Sequence, residues 1–236
     1  MWVAVAVLVV LCTAICAAEL LARAALRAGL ARRCAPVLGA APAVVLSRRP
    51  VLLQLAVRRL AAVAVDSRTV GAGPHAILLD GRARGVSPVP GGLHLEALAA
   101  TATLRLSWIR HVADRAQAGD AGVTVRSVAL LPRRRALAMT VGLPVAFGLG
   151  VDLRVVVAVR VRHGRLVFRA TDLSMPVSIV PVPIPVAWAI DSWVKEIRPR
   201  VVPPALDALT IADVRWERDA VTLELTADEA TVPLGR

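Results

Sequence analysis

The sequence predicts an α+β protein: antiparallel β hairpins and a few amphipathic helices, preceded by an apolar N-terminal helix. Three observations lead there. Apolar residues recur at period two over several stretches separated by turn signals. Helical periodicity is confined to short segments between those stretches. The first 18 residues carry no charged side chain.

The N-terminal segment comes first. Met1–Ala18 (1–18), taken as a helix, spans about 27 Å, close to the hydrocarbon thickness of a bilayer. A cleaved signal peptide carries Lys or Arg before its apolar run and small residues at its exit. This chain begins Met-Trp-Val, and Ala17-Ala18 lead straight into Glu19. Neither Cys12 nor Cys16 lies in a lipoprotein cleavage context. The segment therefore reads as an uncleaved transmembrane anchor; the competing reading is a signal sequence starting upstream of Met1. From Glu19 the pattern turns amphipathic, with Leu20, Leu21, Ala24, Leu26 and Leu30 among Arg23, Arg27, Arg32 and Arg33. This predicts a basic helix over 19–34. By the positive-inside rule those arginines place the body of the chain in the cytoplasm.

Residues 19–236 read as a single domain, because no Gly/Ser linker or charge block divides them. Arg49 to Leu60 has helical spacing, and Ala62-Val63-Ala64-Val65 follows as an alternating strand. Leu93 to Ser107 is a longer strand candidate, and Ser107 to Ala116 a short helix. Val123–Leu131 and Leu137–Val141 pair across Pro132-Arg133-Arg134-Arg135. From Val151 to Arg162 every odd position is apolar, with Asp152, Arg154, Arg160 and Arg162 on the other face. His163-Gly164 then turns the chain, and Leu166 and Phe168 alternate with Arg165 and Arg169 on the return. Leu173 to Ile190 is free of charge, yet Pro176, Pro181, Pro183 and Pro185 exclude a second membrane-spanning helix. Pro185 to Arg198 reads as an amphipathic helix with a stripe of Ile190, Trp193, Val194 and Ile197. Val214–Trp216 and Val221–Leu225 form a last hairpin across Arg218-Asp219.

Composition narrows the function. The chain is 57% hydrophobic, above the ~45–50% of soluble domains even before glycine is counted, but only 3% aromatic. Such apolar content excludes disorder, and three cysteines in 236 residues exclude a disulfide-stapled scaffold. The net charge is +12, carried almost wholly by arginine, since Lys195 is the sole lysine. Nucleic acid is disfavoured as a partner: there is no tyrosine for base stacking and no helix-turn-helix or RNP motif. An anionic membrane surface suits the charge better. Catalytic chemistry finds no foothold. His75, His94, His111 and His163 have no metal-ligand spacing, and there is neither a nucleophile elbow nor a phosphate loop. Gly71-Ala72-Gly73 precedes a proline and reads as a turn. Asp66, Asp80, Glu96 and Asp114 read as solvated carboxylates or arginine partners. No catalytic residue, metal site or cofactor is expected.

One stretch resembles a known family. Pro50-Val51-Leu52-Leu53-Gln54, with the alternating strand close behind, is similar to the Pro-Phe-Leu-Thr-Gln signature of the LmeA-type family of actinobacterial phospholipid-binding proteins. The order of features is similar too, from anchor to Ala/Arg/Leu-rich helix, box, mid-chain hairpins and closing strand pair. The resemblance covers roughly residues 15 to 234, and its sharp motif is the box, with Pro50, Leu52 and Gln54 as the matching positions. Val51 stands where an aromatic is usual, Leu53 where a hydroxyl is usual, and Arg58-Arg59 where a small residue is expected.

The resemblance implies a curved antiparallel sheet of hairpins wrapped around an amphipathic helix, and a body outside the cytoplasm, against the charge count. It gives the aliphatic excess a role, because a groove for acyl chains needs apolar side chains not consumed by packing on one another. Met139, Phe147, Phe168, Trp193 and Ile197 are the candidates for lining it, and Arg133, Arg134 and Arg135 for the head group. Gln54 reads as a buried amide serving the backbone. The expected function is binding of phospholipid by an anchored envelope protein, for lipid transfer or in support of envelope glycolipid assembly. The alternative is an interaction protein whose apolar faces are closed by a protein partner.

Overall fold

The computed structural model describes residues 2–68, 73, 75–116, 124–144, 150–174 and 208–233. The fold is α+β, with one long apolar N-terminal helix and two antiparallel sheets. Helix α1 (Trp2–Leu38) is followed by β1 (Ala43–Leu46), α2 (Val51–Ala56), β2 (Leu60–Asp66), β3 (Leu78–Val89), β4 (Gly92–Arg105) and α3 (Leu106–Ala116). Then come β5 (Thr124–Leu131), a 3-10 turn (Pro132–Arg134), β6 (Ala136–Pro144), β7 (Gly150–Arg162), β8 (Arg165–Ser174), β9 (Thr210–Trp216) and β10 (Ala220–Pro233). Hydrogen bonding orders one sheet β1-β2-β3-β4-β10-β9 and the other β5-β6-β7-β8. The chain divides into two compact units, Met1–Ala72 with Leu78–Ala100 and Ala227–Arg236, and Gly73–Ile77 with Thr101–Thr226.

In the first unit, α1 is a single helix whose character changes along its length. The described side chains from Trp2 to Ala18 are all exposed. From Glu19 onward a stripe becomes half-buried, and Ala22, Leu26, Leu30 and Ala31 pack on a core of Val44, Leu46, Val51, Val63, Val86 and Leu95. Ala22, Leu26 and Leu30 are spaced by four, which puts them on one face of the helix. The amphipathic stretch predicted over 19–34 thus runs on to Leu38. Gly39, at φ 76°, ends it, donating its N–H to the Ala35 carbonyl at 2.9 Å.

Two strands of this unit escape the sequence pattern. β1 is only four residues long, and β3 reads Leu-Leu-Asp-Gly-Arg-Ala-Arg-Gly-Val-Ser-Pro-Val, too rich in glycine and arginine to register as alternation. Both form because β2 offers them its two edges, with Leu46 opposite Val63 and Ala83 opposite Val63. The helix predicted over 49–60 shrinks to Val51–Ala56. Arg58, at φ 50°, breaks it, and Leu60 onward joins the ladder opposite Val86. The strand predicted at Leu93–Ser107 is β4, shifted by one or two residues, and α3 follows it directly.

The second unit holds the four-stranded sheet, a plain succession of hairpins. Val141 faces Leu153, Met139 faces Val155, and Val155 faces Leu173. The odd-numbered face of β7 is therefore continuous with the apolar positions of β6 and β8. Val141, Leu153, Val155 and Val157 are buried there, with Met139, Val151, Phe168, Ala170 and Leu173 packed around them. The β7–β8 turn has His163 at φ 50° and Gly164 at φ 71°, the two positive values of a type I′ turn. Helix α3 packs on β5, and the Arg110 Nε donates to the Val128 carbonyl at 3.1 Å. The final hairpin is longer than predicted: β9 begins at Thr210 and β10 runs to Pro233. The helix predicted over Pro185–Arg198 lies outside the described residues.

Candidate functional site

The Pro50–Gln54 box is the most densely bonded point of the first unit. Gln54 is buried, and both ends of its amide are engaged. Its Oε1 accepts the Ala61 N–H at 2.7 Å and the Ser47 hydroxyl at 3.2 Å, while its Nε2 donates to the Arg49 carbonyl at 2.9 Å. Ala61 lies one step past the last β1–β2 contact, where the Ser47 N–H meets the Ala62 carbonyl. Gln54 thus takes over the ladder at the point where β1 leaves it. Pro50 is the N-cap of α2, with φ −53° and an extended ψ of 123°, the non-helical conformation of a cap.

A second group joins the box from α1. The Glu19 carboxylate accepts the N–H of Val51 at 2.6 Å and of Leu52 at 2.9 Å, two donors at the start of α2 that no helical carbonyl could serve. Arg23, one turn on, donates to Glu19 at 3.2 Å, to the Ser47 carbonyl at 3.1 Å and to the Arg49 carbonyl at 3.0 Å. Glu19 was not singled out from the sequence as a site residue. A signal was present, since it is the first carboxylate of the chain and the next is Asp66.

Of the proposed lipid-lining residues, Met139 and Phe168 are described. Both are partly buried and both flank the core of the four-stranded sheet. Phe147, Trp193 and Ile197 lie outside the described residues. Arg133, Arg134 and Arg135 are exposed on the β5–β6 turn. The register brings more arginines to the same end of the sheet. The Arg135 carbonyl accepts the Val159 N–H at 3.2 Å, placing the turn beside the far end of β7. Arg160 and Arg162 there face Val167 and Arg165 on β8, and Arg169 faces Ala158. All seven arginines are exposed, and none forms an ion pair among the described residues.

The carboxylates behave differently. Asp66 and Asp80 sit directly opposite each other on β2 and β3, and Arg68 bridges them. The Arg68 N–H, donating to Asp66 at 2.8 Å, holds that carboxyl below the usual range, with some opposition from desolvation and further help from the Arg68 side chain. Glu96 pairs with Arg59. His75 and His111, distant in sequence, stack with ring centroids 4.6 Å apart, and His75 Nδ1 lies 3.3 Å from the Ser107 carbonyl oxygen. Among the described residues no group of three or more His, Cys, Asp and Glu side chains could hold a metal ion.

Fold and site together define an α+β protein with an N-terminal helix long and apolar enough to cross a membrane, and an arginine-rich end on its four-stranded sheet. No family model, curated protein or solved structure matches the chain.

Proposed function

We propose that the chain is a membrane-anchored envelope protein that binds phospholipid, with acyl chains in an apolar groove and the head group against arginine. The observation that carries this reading is a contrast between two like-charged cross-strand pairs. Like charges directly opposite each other destabilise a sheet. Asp66 and Asp80 form such a pair, and Arg68 bridges the two carboxylates. Arg162 and Arg165 form another, with Arg133, Arg134 and Arg135 on the adjoining turn, and no acid among the described residues answers them. A bound phosphate would supply the counter-charge that no described residue provides at this end of the sheet. Behind it runs the apolar face rimmed by Met139, Phe168 and Leu173, the surface a hydrocarbon chain would follow.

The box supports the same reading through its resemblance to the LmeA-type family. From that resemblance we infer the curved sheet wrapped around an amphipathic helix, the extracytoplasmic body, and a role in lipid transfer or glycolipid assembly. Retention needs no catalytic group, because each buried CH₂ contributes about 0.8 kcal/mol. Native mass spectrometry of the full chain after gentle detergent exchange tests the proposal. Co-purifying phospholipid is expected. Recovery of empty protein only, or of a stable complex with another protein, overturns it.

A further inference from the structure

The box has a second face that neither the lipid reading nor the resemblance uses. Val51 and Gln54 point inward, while Leu52, Leu53, Leu55 and Val57 are exposed. Leu53 on the helix is 67% exposed and Val57, which caps its C-terminus, 71%, which is unusual for large aliphatic residues on and beside a short helix held this firmly. Exposed arginines bracket them, Arg48 and Arg49 before the helix and Arg58 and Arg59 after it. Arg59 pairs with Glu96; the other three form no ion pair among the described residues.

The position of α2 along α1 gives this surface its meaning. Trp2 to Ala18 makes a helix about 25 Å long with every described side chain exposed, a good match to a hydrocarbon core of about 30 Å. Glu19 is the first residue past it, and its carboxylate binds the first two N–H groups of α2. A span ending at Ala18 therefore holds α2 at the membrane–water boundary. A helix lying in that boundary buries its apolar face about 5–10 Å deep and keeps its basic residues among anionic head groups. Four outward aliphatics between two arginine pairs meet that description.

We propose that α2 is a membrane-inserting foot. Leu52, Leu53, Leu55 and Val57 enter the acyl-chain boundary of an anionic bilayer beside the anchor, and Arg48, Arg49 and Arg58 contact lipid phosphates. Glu19 and Arg23 clamp the foot at the depth where the anchor ends. The inference rests on reading residues 2–18 as a membrane span, and it is independent of phospholipid binding by the four-stranded sheet.

The test uses the full chain reconstituted in phosphatidylcholine vesicles containing phosphatidylglycerol. Leu53→Trp and, separately, Val57→Trp add one indole each at positions whose exposure leaves the fold intact. The emission added relative to the parent chain is expected to be blue-shifted, to be lost with lipids brominated near the top of the acyl chain, and to resist aqueous iodide. If the parent chain floats with the vesicles but iodide quenches the added indole and bromolipid does not, the foot is refuted and the anchor stands. Protection from both quenchers means that a protein surface covers α2, which also refutes the foot. Failure of the parent chain to float removes the anchor and the foot together.

Discussion

At the residue scale, Gln54 and Arg68 show how single side chains settle what backbone geometry leaves open. Gln54→Ala leaves the half-buried Ala61 N–H without its acceptor, while the Arg49 carbonyl keeps its Arg23 donor, and the unsatisfied group should cost about 1 kcal/mol, the lower end of the range for buried groups. Gln54→Glu keeps the acceptor for Ala61 but loses both amide donors and buries a charge, so it should unfold more readily than Gln54→Ala. Thermal melts of the full chain in mild detergent rank the two, and the reverse order would argue against the amide's role. The pair Asp66 and Arg68 makes a pH prediction. A carboxyl whose folded pKa is depressed adds stability above its unfolded pKa and loses it as pH falls through the folded value. The parent chain should therefore lose stability below about pH 4, near the ordinary Asp value, and Asp66→Asn should flatten that acid limb. Denaturant titrations across the acid range measure the difference. Neither role was fully legible in advance. The sequence marks Gln54 as an amide in a box, but its partner Ala61 is identified only by where β1 ends. Asp66 and Asp80 were candidate carboxylates, yet only the β2–β3 register sets them face to face.

At the element scale, the β7–β8 hairpin is the part most legible in the sequence. Its odd-position alternation and His163-Gly164 turn set the apolar face and the register from Arg162–Arg165 back to Val157–Ala170, before a bulge between Val156 and Val157 shifts the rest by one residue. It also carries two predictions that pull stability and binding apart. Arg165→Glu turns a repulsive cross-strand pair into an attractive one, worth roughly 0.2–1 kcal/mol, and should raise the melting temperature while weakening retention of anionic lipid. A variant that is both more stable and equally good at retaining lipid would remove the arginine end from the site. His163→Asn places a residue that tolerates positive φ where the turn demands it, and should stabilise the hairpin slightly with no effect on lipid. β1 and β3 are the opposite case. A four-residue strand and a Gly/Arg-rich one have too little intrinsic signal, and they exist because β2 presents unpaired edges to them. The same limit applies to α2: its helical spacing extends from Arg49 to Leu60, but strand pairing at Leu60 takes residues away from it.

At the scale of the whole molecule, α1 joins the two roles of the chain. Its exposed first half is the candidate span, and its second half is part of the core of the first unit. Removing residues 2–18 should abolish carbonate-resistant membrane association and leave a weaker association that salt reverses, carried by α2 and its arginines. Flotation in low and high salt separates the two components. Complete release at low salt would count against the foot. Orientation is a separate question, because the arginines flanking the candidate span and the resemblance of the box point to opposite sides of a membrane. Protease added to intact cells should digest the body if the envelope assignment holds. Protection of the body until the cells are lysed would withdraw that assignment.

The sequence by itself determined the α+β class, an apolar N-terminal helix long enough to cross a membrane and the hairpins of the four-stranded sheet, all of which follow from local periodicity and composition. Tertiary structure alone decided which distant groups meet. It brought Glu19 to the start of α2, Gln54 to the end of β1, Arg68 between two aspartates, and Arg160, Arg162, Arg165 and Arg169 to the turn holding Arg133, Arg134 and Arg135. The reason is physical. Periodicity and a tight turn report the face and the local register of one hairpin, whereas contacts between elements distant in the chain depend on how those elements pack, which no local pattern records.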